Sequence, residues 1–537
     1  MAESDSTELC SSYGTSSENQ SSGESGPPPL DPTSATEQLK ICCKPTYTIR
    51  RVKTKGAILI LAWNLLAMTA FWYVSSTSFR GRIPHDNGST ISAIVFGFTL
   101  PIAGWLADAC IGRYRMIYCS SLITWVATIL ETAIETFVSS YAPIRVVKQG
   151  LFGLMGLGLG GFLSTVVQFG FDQLPFAKTD EVSAYVMWLA WTSGFPLIIM
   201  NFTFSYFYIN GQSLMFLGYL ILCVNFSLIL ISLFCCNHWL IKNPMPQNPF
   251  KLIYHVTKYA IKHKYLQRRS AFTFCEDEVI SRIDLGKRKY GGPFTTEQVE
   301  DVKTFFRILP IVAICGMFLG EIAAANLLDH ALKLQFVYHK HDSKIKYVTN
   351  HSISMIIPYS MPLLAAFYEV CLSPIFYRCC QRVTSLHRFF VGAAMQIGTF
   401  LALMIFELLS RQSYLQENGY NETVLCVLYK HQALATKFNY TWIAIPDILF
   451  AVSTLLMVVG CVEFMAAQVP CSMKGVLIGV CFGSAMITGT IDSLLAVYGP
   501  FRQNLSVRGT KLIDCGFWYA IFHIILSTLD ASFVHLL

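Results

Sequence analysis

Carboxylates set among apolar residues are the first groups in this sequence whose chemistry demands a reason. Glu321, Glu369 and Glu463 each lie in a long apolar run, as do Asp492, Glu131 and Glu135. An ionisable side chain at the centre of a bilayer costs about 2.5–3.5 kcal/mol on insertion scales. Each such acid is therefore a candidate for binding a proton or substrate, or for hydrogen bonding between helices. A second group, Asp108, Gly112, Arg113 and Arg115, lies in "GWLADACIGRYRMI". There an acid and two bases share one tight turn and can pair with helix ends to hold one conformation shut. A third group, Gly156, Gly158 and Gly161, spells GxGxxG. A phosphate-cradling loop of that kind needs a strand before it and a soluble helix after it. These glycines sit in an apolar run from 146 to 170, which points to close helix packing instead.

The elements that must position these groups follow from composition. Of 537 residues, 53% are hydrophobic and 14% charged, against about 25% charged in soluble domains. Twelve stretches are long enough to cross the hydrocarbon as helix, which takes about 20 residues. They run from 56 to 79, 90 to 112, 116 to 138, 146 to 170, 183 to 207, 213 to 236, 305 to 328, 352 to 376, 388 to 410, 442 to 468, 475 to 499 and 515 to 537. Backbone groups in lipid must pair within their own segment unless a barrel closes, and the runs lack a barrel's alternation. The expected architecture is thus an all-α integral membrane protein of 12 transmembrane helices in two six-helix bundles, with a substrate path between them. Its parts are a tail (1–45), a first bundle (46–236), a linker (237–304) and a second bundle (305–537).

An even number of crossings puts both termini on one face, and the Lys and Arg bias makes that face cytoplasmic. The sequons at Asn87, Asn350, Asn421, Asn439 and Asn504 all fall in loops of the opposite face, which predicts glycosylation there. The tail, rich in Ser, Glu, Gly and Pro, is expected to be disordered and is where cytosolic partners would bind. In the linker, "KLIYHVTKYAIKHKYLQRR" reads as a basic amphipathic helix, lying on anionic lipid or solvated. The 18 Cys show no metal spacing, and the adjacent pairs at 42–43, 235–236 and 379–380 are either acylation sites or accidents.

Several motifs resemble the proton-dependent oligopeptide transporter family, the PTR2 group of the major facilitator superfamily. "GWLADACIGRYRMI" resembles the superfamily's loop 2–3 signature. "RIDLGKRKYGGPFTTEQVEDVKTFFRILPI" looks like the segment entering span 7, "EFMAAQVPCSMKGVLIG" is similar to the span 10 pattern E-F-x-x-x-Q-x-P-x-x-M-K, and "FYEVCLSPIF" resembles a span 8 motif. The resemblance implies the superfamily fold and aligns "GLGLGGFLSTVVQFGFDQLP" with span 4. It also exposes departures. Leu163 and Ser164 replace the span 4 Lys and Pro, and Leu65, Met68 and Thr69 replace the charged span 1 residues that serve proton coupling and grip a peptide carboxylate. Thr454 stands where span 10 has an acid, and Trp72 and Tyr73 keep the aromatic character of span 1.

By this resemblance the expected function is a secondary transporter of di- or tripeptides or a related small solute, working by alternating access. Its proton coupling is in doubt, and the alternative is a transporter-shaped receptor or scaffold that moves nothing. Substrate or proton candidates are Glu321, Glu463, Glu369, Trp72 and Tyr73. No nucleophile–base constellation marks an enzyme. No cofactor or metal is expected beyond the proton as coupling ion, and the expected partners are a small molecule or short peptide and the lipid bilayer, with no nucleic acid. The membrane is the plasma membrane or an endolysosomal one.

Overall fold

The computed structural model describes residues 54–79, 88–137, 142–175, 179–209, 215–243, 248–263, 281–336, 356–372, 384–418, 444–470, 472–498 and 517–536, with short pieces at 375, 424–425, 442 and 508–509. The tail and the five sequon asparagines lie outside these residues, as do the side chains of Tyr73 and Glu369.

Helix occupies each of the twelve apolar stretches. The first six are α1 (Lys55–Phe79), α2 (Gly88–Leu106), α3 (Arg113–Phe137), α4 (Ala142–Asp172), α5 (Thr179–Ile209) and α6 (Met215–Cys235). A linker helix, α7 (Pro249–Lys262), precedes α8 (Thr296–Phe336), α9 (Ile356–Phe367), α10 (Ser385–Asn418), α11 (Ala444–Gln468), α12 (Lys474–Tyr498) and α13 (Phe517–Leu536). Among the described residues ten helices are long and apolar enough to cross a membrane, while the described apolar parts of α9 and α13 are shorter. Two helices end in five-residue π segments, Ala107–Ile111 after α2 and Tyr368–Leu372 after α9.

The helices pack as two groups. Within the first, α4 lies against α2 and α3, α1 against α5, and α3 against α6; within the second, α10 lies against α11 and α13, and α8 against α12. Between the groups α2 meets α12, and α5 meets α9, so the second helix of each half faces the fifth of the other. The α2–α12 crossing is close because glycine removes the side chains. A Cβ on Gly479 would lie within 2.8 Å of Pro101 Cα, and one on Gly483 within 2.8 Å of Gly97 O. The GxGxxG glycines work the same way inside the first half: Gly156 lies against Ser92 of α2, and Gly158 and Gly161 against Thr124 and Ser120 of α3. They are packing glycines, as their apolar context predicts.

Loops alternate between two ends. At one end Val424–Leu425 (β1) pairs antiparallel with Arg508–Gly509 (β2), joining the loop before α11 to the loop after α12. At the other end lies the linker. There Asn248 caps α7, its Oδ1 accepting from Phe250 N at 3.2 Å and Lys251 N at 3.4 Å, with Pro249 in the first turn. Sequence reading lays the apolar face of this helix on lipid or leaves it solvated, but the structure turns it onto the protein. Val256 and Ala260 are buried, Leu252 and Ile253 pack on the core, and the Phe250 ring meets Trp105 at 5.8 Å. Lys251, His255 and Lys258 are left on the outer face. The stripe fits between span ends already carrying apolar side chains, which take Val256 and Ala260 out of water, while Tyr254 and Ile261 stay exposed.

The segment entering α8 forms a short hairpin, with Phe294 N donating to Gly286 O at 3.0 Å and Arg288 N to Phe294 O at 2.9 Å. Gly291 makes its turn at φ 87°. Thr295 and Gln298 then cap α8 reciprocally, Gln298 N to Thr295 Oγ1 at 3.3 Å and Thr295 N to Gln298 Oε1 at 3.1 Å. Lys287 and Lys303 both pair with Asp284 and with Glu300. Burial alone would raise the Asp284 carboxyl, but hydrogen bonds from Lys287, Lys303 and Ser281 outweigh it and pull the group down to about 2.

Two outcomes follow. Gly479→Val places a branched side chain against the α2 backbone, so the halves separate there, and a thermal-unfolding scan reads a lower midpoint than wild type. Because the folded pKa of Asp284 is depressed, its contribution is present above the ordinary carboxylate value near 3.9 and lost as pH falls toward about 2. Limited acid-stable proteolysis near Arg288 should therefore show protection at pH 5 that disappears between about pH 4 and pH 2.

Candidate functional site

Asp108 is buried and densely bonded at the linker end. It is the second residue of the π segment that ends α2, and Gly112 (φ 89°) turns the chain directly into α3. This places Arg113 at the first position of α3 beside it. The Asp108 carboxylate, 1% exposed, accepts from Arg113 Nε at 3.1 Å and Gln168 Nε2 of α4 at 2.8 Å. Its other oxygen accepts from Gly475 N at 2.8 Å. Gly475 is the second residue of α12, so this amide is one of the helix's unpaired N-terminal donors, at the positive end of its dipole. A hydrogen bond to a charged group contributes about 1.5–3 kcal/mol, and this one joins the two halves. Arg113 Nη1 also reaches both oxygens of Asp172, the last residue of α4, at 2.6 Å. The signature residues therefore come together as sequence spacing predicts, except that Arg115 is exposed outside the cluster.

Glu463 builds a second junction at the same end. Arg388 Nη1 of α10 reaches its two oxygens at 2.6 and 2.7 Å, and Ser183 Oγ of α5 donates to Oε1 at 2.6 Å. Arg388 also donates to Ser183 Oγ at 3.3 Å, and its guanidinium lies 5.5 Å from the Tyr368 ring centre. Glu463 thus ties α11 to α10 within its half and to α5 across the interface. Hydrogen bonds that cross between the halves include Asp108 with Gly475, and Ser183 with Glu463 and Arg388. These three lie at the linker end.

Glu321 lies elsewhere. It is fully buried in α8 and accepts from Ser527 Oγ of α13, with Asp492 of α12 and Asp530 of α13 close enough for their charges to bear on it. Its described partner belongs to its own half, so the structure joins it to neither Glu463 nor Asp108. Trp72 is also held within one half, its indole N–H donating to Ser193 O of α5 at 2.8 Å. Glu369 is the second residue of the π segment after α9.

Neutral groups occupy the positions where charge is missing. Thr69 Oγ1 donates to Leu66 O at 2.6 Å and accepts from Asn225 of α6. Asn64, one turn earlier, donates to Thr192 and Ser193 of α5 at 2.9 Å each. Leu163 packs on the hydrophobic core. Thr454 is buried, and its hydroxyl has no hydrogen-bond partner among the described residues. Trp191 stacks on Phe195 at 4.7 Å and meets Trp188 at 6.0 Å, while Trp442 is exposed.

Sequence reasoning missed Ser183, Arg388 and Gly475 as junction residues. The spacing Gly475, Gly479, Gly483 in "KGVLIGVCFG" carries the small-residue signal for a close crossing and was open to view. Ser183 and Arg388 carry none, because what distinguishes them is a partner 280 or 75 residues away.

Comparison with known proteins accords with this geometry. Mouse solute carrier family 15 member 3 is 22% identical over 526 residues, covering 86% of this chain and 87% of that protein. The Arabidopsis thaliana protein NRT1/PTR family 5.4 is 22% identical, covering 87% of this chain and 92% of its own length. Among solved structures, the POT family transporter PepTSo superposes with a TM-score of 0.60 at 17% identity, over 90% of this chain and 98% of its own. The major facilitator superfamily proton:xylose symporter XylE gives 0.51 at 12% identity, over 89% and 94%. The fold is that of the major facilitator superfamily. The model of the POT family, PTR2, matches residues 114–498, more than half of the sequence, and the chain belongs to that family.

Proposed function

We propose that the protein is a secondary transporter of small peptides or a related small solute, working by alternating access between two six-helix halves of a twelve-span membrane protein joined by the 237–304 linker. The observation that carries this reading is the pair of polar junctions, Asp108 with Gly475 and Glu463 with Ser183, that fasten the halves at the linker end. A molecule fastened at one end and hinged along glycine-rich crossings is built to exchange which end is open. Structural relatives that include a POT family peptide transporter support the substrate class.

The solute is gripped without the span 1 and span 4 charges. Thr69 pairs with Asn225, and Asn64 with Thr192 and Ser193, all inside the first half, so little ionic recognition of a peptide terminus remains there. Proton coupling is assigned to Glu321. It is buried with no ion pair among the described residues, and a carboxylate so placed needs a bound cation, for which the proton is the simplest choice.

Purified protein in proteoliposomes should accumulate members of a dipeptide panel, and an inward proton gradient should increase uptake. If neither dipeptides nor unrelated solutes enter or exchange, the transport reading fails. Glu321→Gln should leave exchange of labelled solute measurable while removing the response to the gradient; an unchanged response takes Glu321 out of the mechanism.

A further inference from the structure

The linker helix α7 keeps one face dry and leaves the other uncovered. Val256 and Ala260 are buried against the rest of the protein, while Lys251, Tyr254, His255, Lys258, Ile261 and Lys262 are all exposed. Their spacing is helical, so they form one stripe in which cationic and apolar groups are interleaved. Tyr254 is 59% and Ile261 72% exposed, large values for apolar groups on a helix that is otherwise docked. The hairpin that enters α8 extends the positive charge with exposed Arg288 and Lys289, and its Phe294 ring meets Tyr259 of α7 at 6.0 Å. At its other end α7 meets α2, through Phe250 and Trp105. The helix therefore touches both halves.

We propose that the exposed face of α7 is a docking surface for the chain's own acidic N-terminal segment, residues 1–39. Between Met1 and Leu39 acids stand at positions 3, 5, 8, 18, 24, 31 and 37, and the first Lys or Arg is Lys40. Leu9, Leu30 and Leu39 stand beside these acids and supply apolar groups for Tyr254 and Ile261. The surface is within reach. A Cβ on Gly56, in the first turn of α1, would lie 3.0 Å from the Trp239 carbonyl oxygen, so α1 starts beside the beginning of the linker. Residues 40–53 span up to about 45 Å when extended. Each exposed ion pair contributes only about 0.2–1 kcal/mol, but a tether holds the segment at an effective concentration on the order of millimolar, so a few weak contacts suffice. A lipid surface fits this face less well. The apolar stripe faces the span ends, which turns the lysines opposite it away from the hydrocarbon. The linker's own acids at 276–278 are offset by Arg268, Arg269 and Arg282. Docked on α7, the segment fastens the helix that touches both halves.

Carbodiimide coupling, which condenses a carboxylate with an amine already in contact, tests this on the full-length protein in nanodiscs of neutral phosphatidylcholine. No solute is needed, so a failure of uptake leaves the result standing. Mapped by mass spectrometry, amide links should join acids of residues 1–39 to Lys251, Lys258 or Lys262, and should fade in about 1 M salt, where the Debye length shrinks to about 3 Å. Lys251→Glu together with Lys258→Glu changes only exposed side chains; it should abolish the links to Lys262 and speed backbone hydrogen exchange in α7 about fivefold. Deleting residues 1–39 should speed that exchange by the same factor. The proposal is overturned by an absence of such links, or by links that join heavy-labelled to light-labelled chains in a mixed sample, which make a second copy the occupant. It is equally overturned if protection of α7 survives the deletion and requires phosphatidylserine, which makes the occupant a lipid.

Discussion

A buried carboxylate shared by two bodies governs the linker end. Asp108 takes one hydrogen bond from Arg113, one from Gln168 and one from the Gly475 backbone amide. Two of these donors travel with the first half and the third with the second. Removing the third leaves a charged oxygen that only water can replace, which makes the closed arrangement discrete rather than graded. The π segment, the positive φ of Gly112 and the bare Cα of Gly475 all serve this arrangement, since a Cβ at Gly475 would sit within 2.7 Å of Asp108 Oδ2.

The spans were legible because lipid leaves the backbone few options. Each of the twelve apolar runs became helix with ends within about a turn of those read from hydropathy for most of them, the clearest exception being α8, which begins at Thr296 in the linker. That start was itself written in the sequence as Thr295 and Gln298, a capping pair. The Asp108 turn was legible for a similar reason, since its members are neighbours in the chain. Ser183 and Arg388 were not. Their chemistry is ordinary until folding brings α5, α10 and α11 to one point, and no local pattern records that meeting.

The linker helix shows how amphipathicity can mislead about its partner. Its apolar stripe says that one face must leave water, and the same stripe serves lipid or protein equally. Trp105 and the hairpin ring Phe294 supplied the nearer surface. Span 1 shows the reverse case. Its lost charges were visible as absences, but the replacement of an ionic network by Asn64, Thr69 and Asn225 hydrogen bonding became visible only with α5 and α6 in place.

In the proposed alternating-access cycle, the glycine column between α2 and α12 would also bear on how fast the halves turn against each other. Ordinary helix pairs interlock, so turning one against the other means lifting side chains out of grooves and reseating them. Here backbone meets backbone at Gly104, Gly479 and Gly483, and the side chains of Pro101, Ile487 and Met486 reach in beside them. Part of the barrier to switching in that cycle then falls on the polar links that join the halves, and exchanging single atoms there would tune the rate.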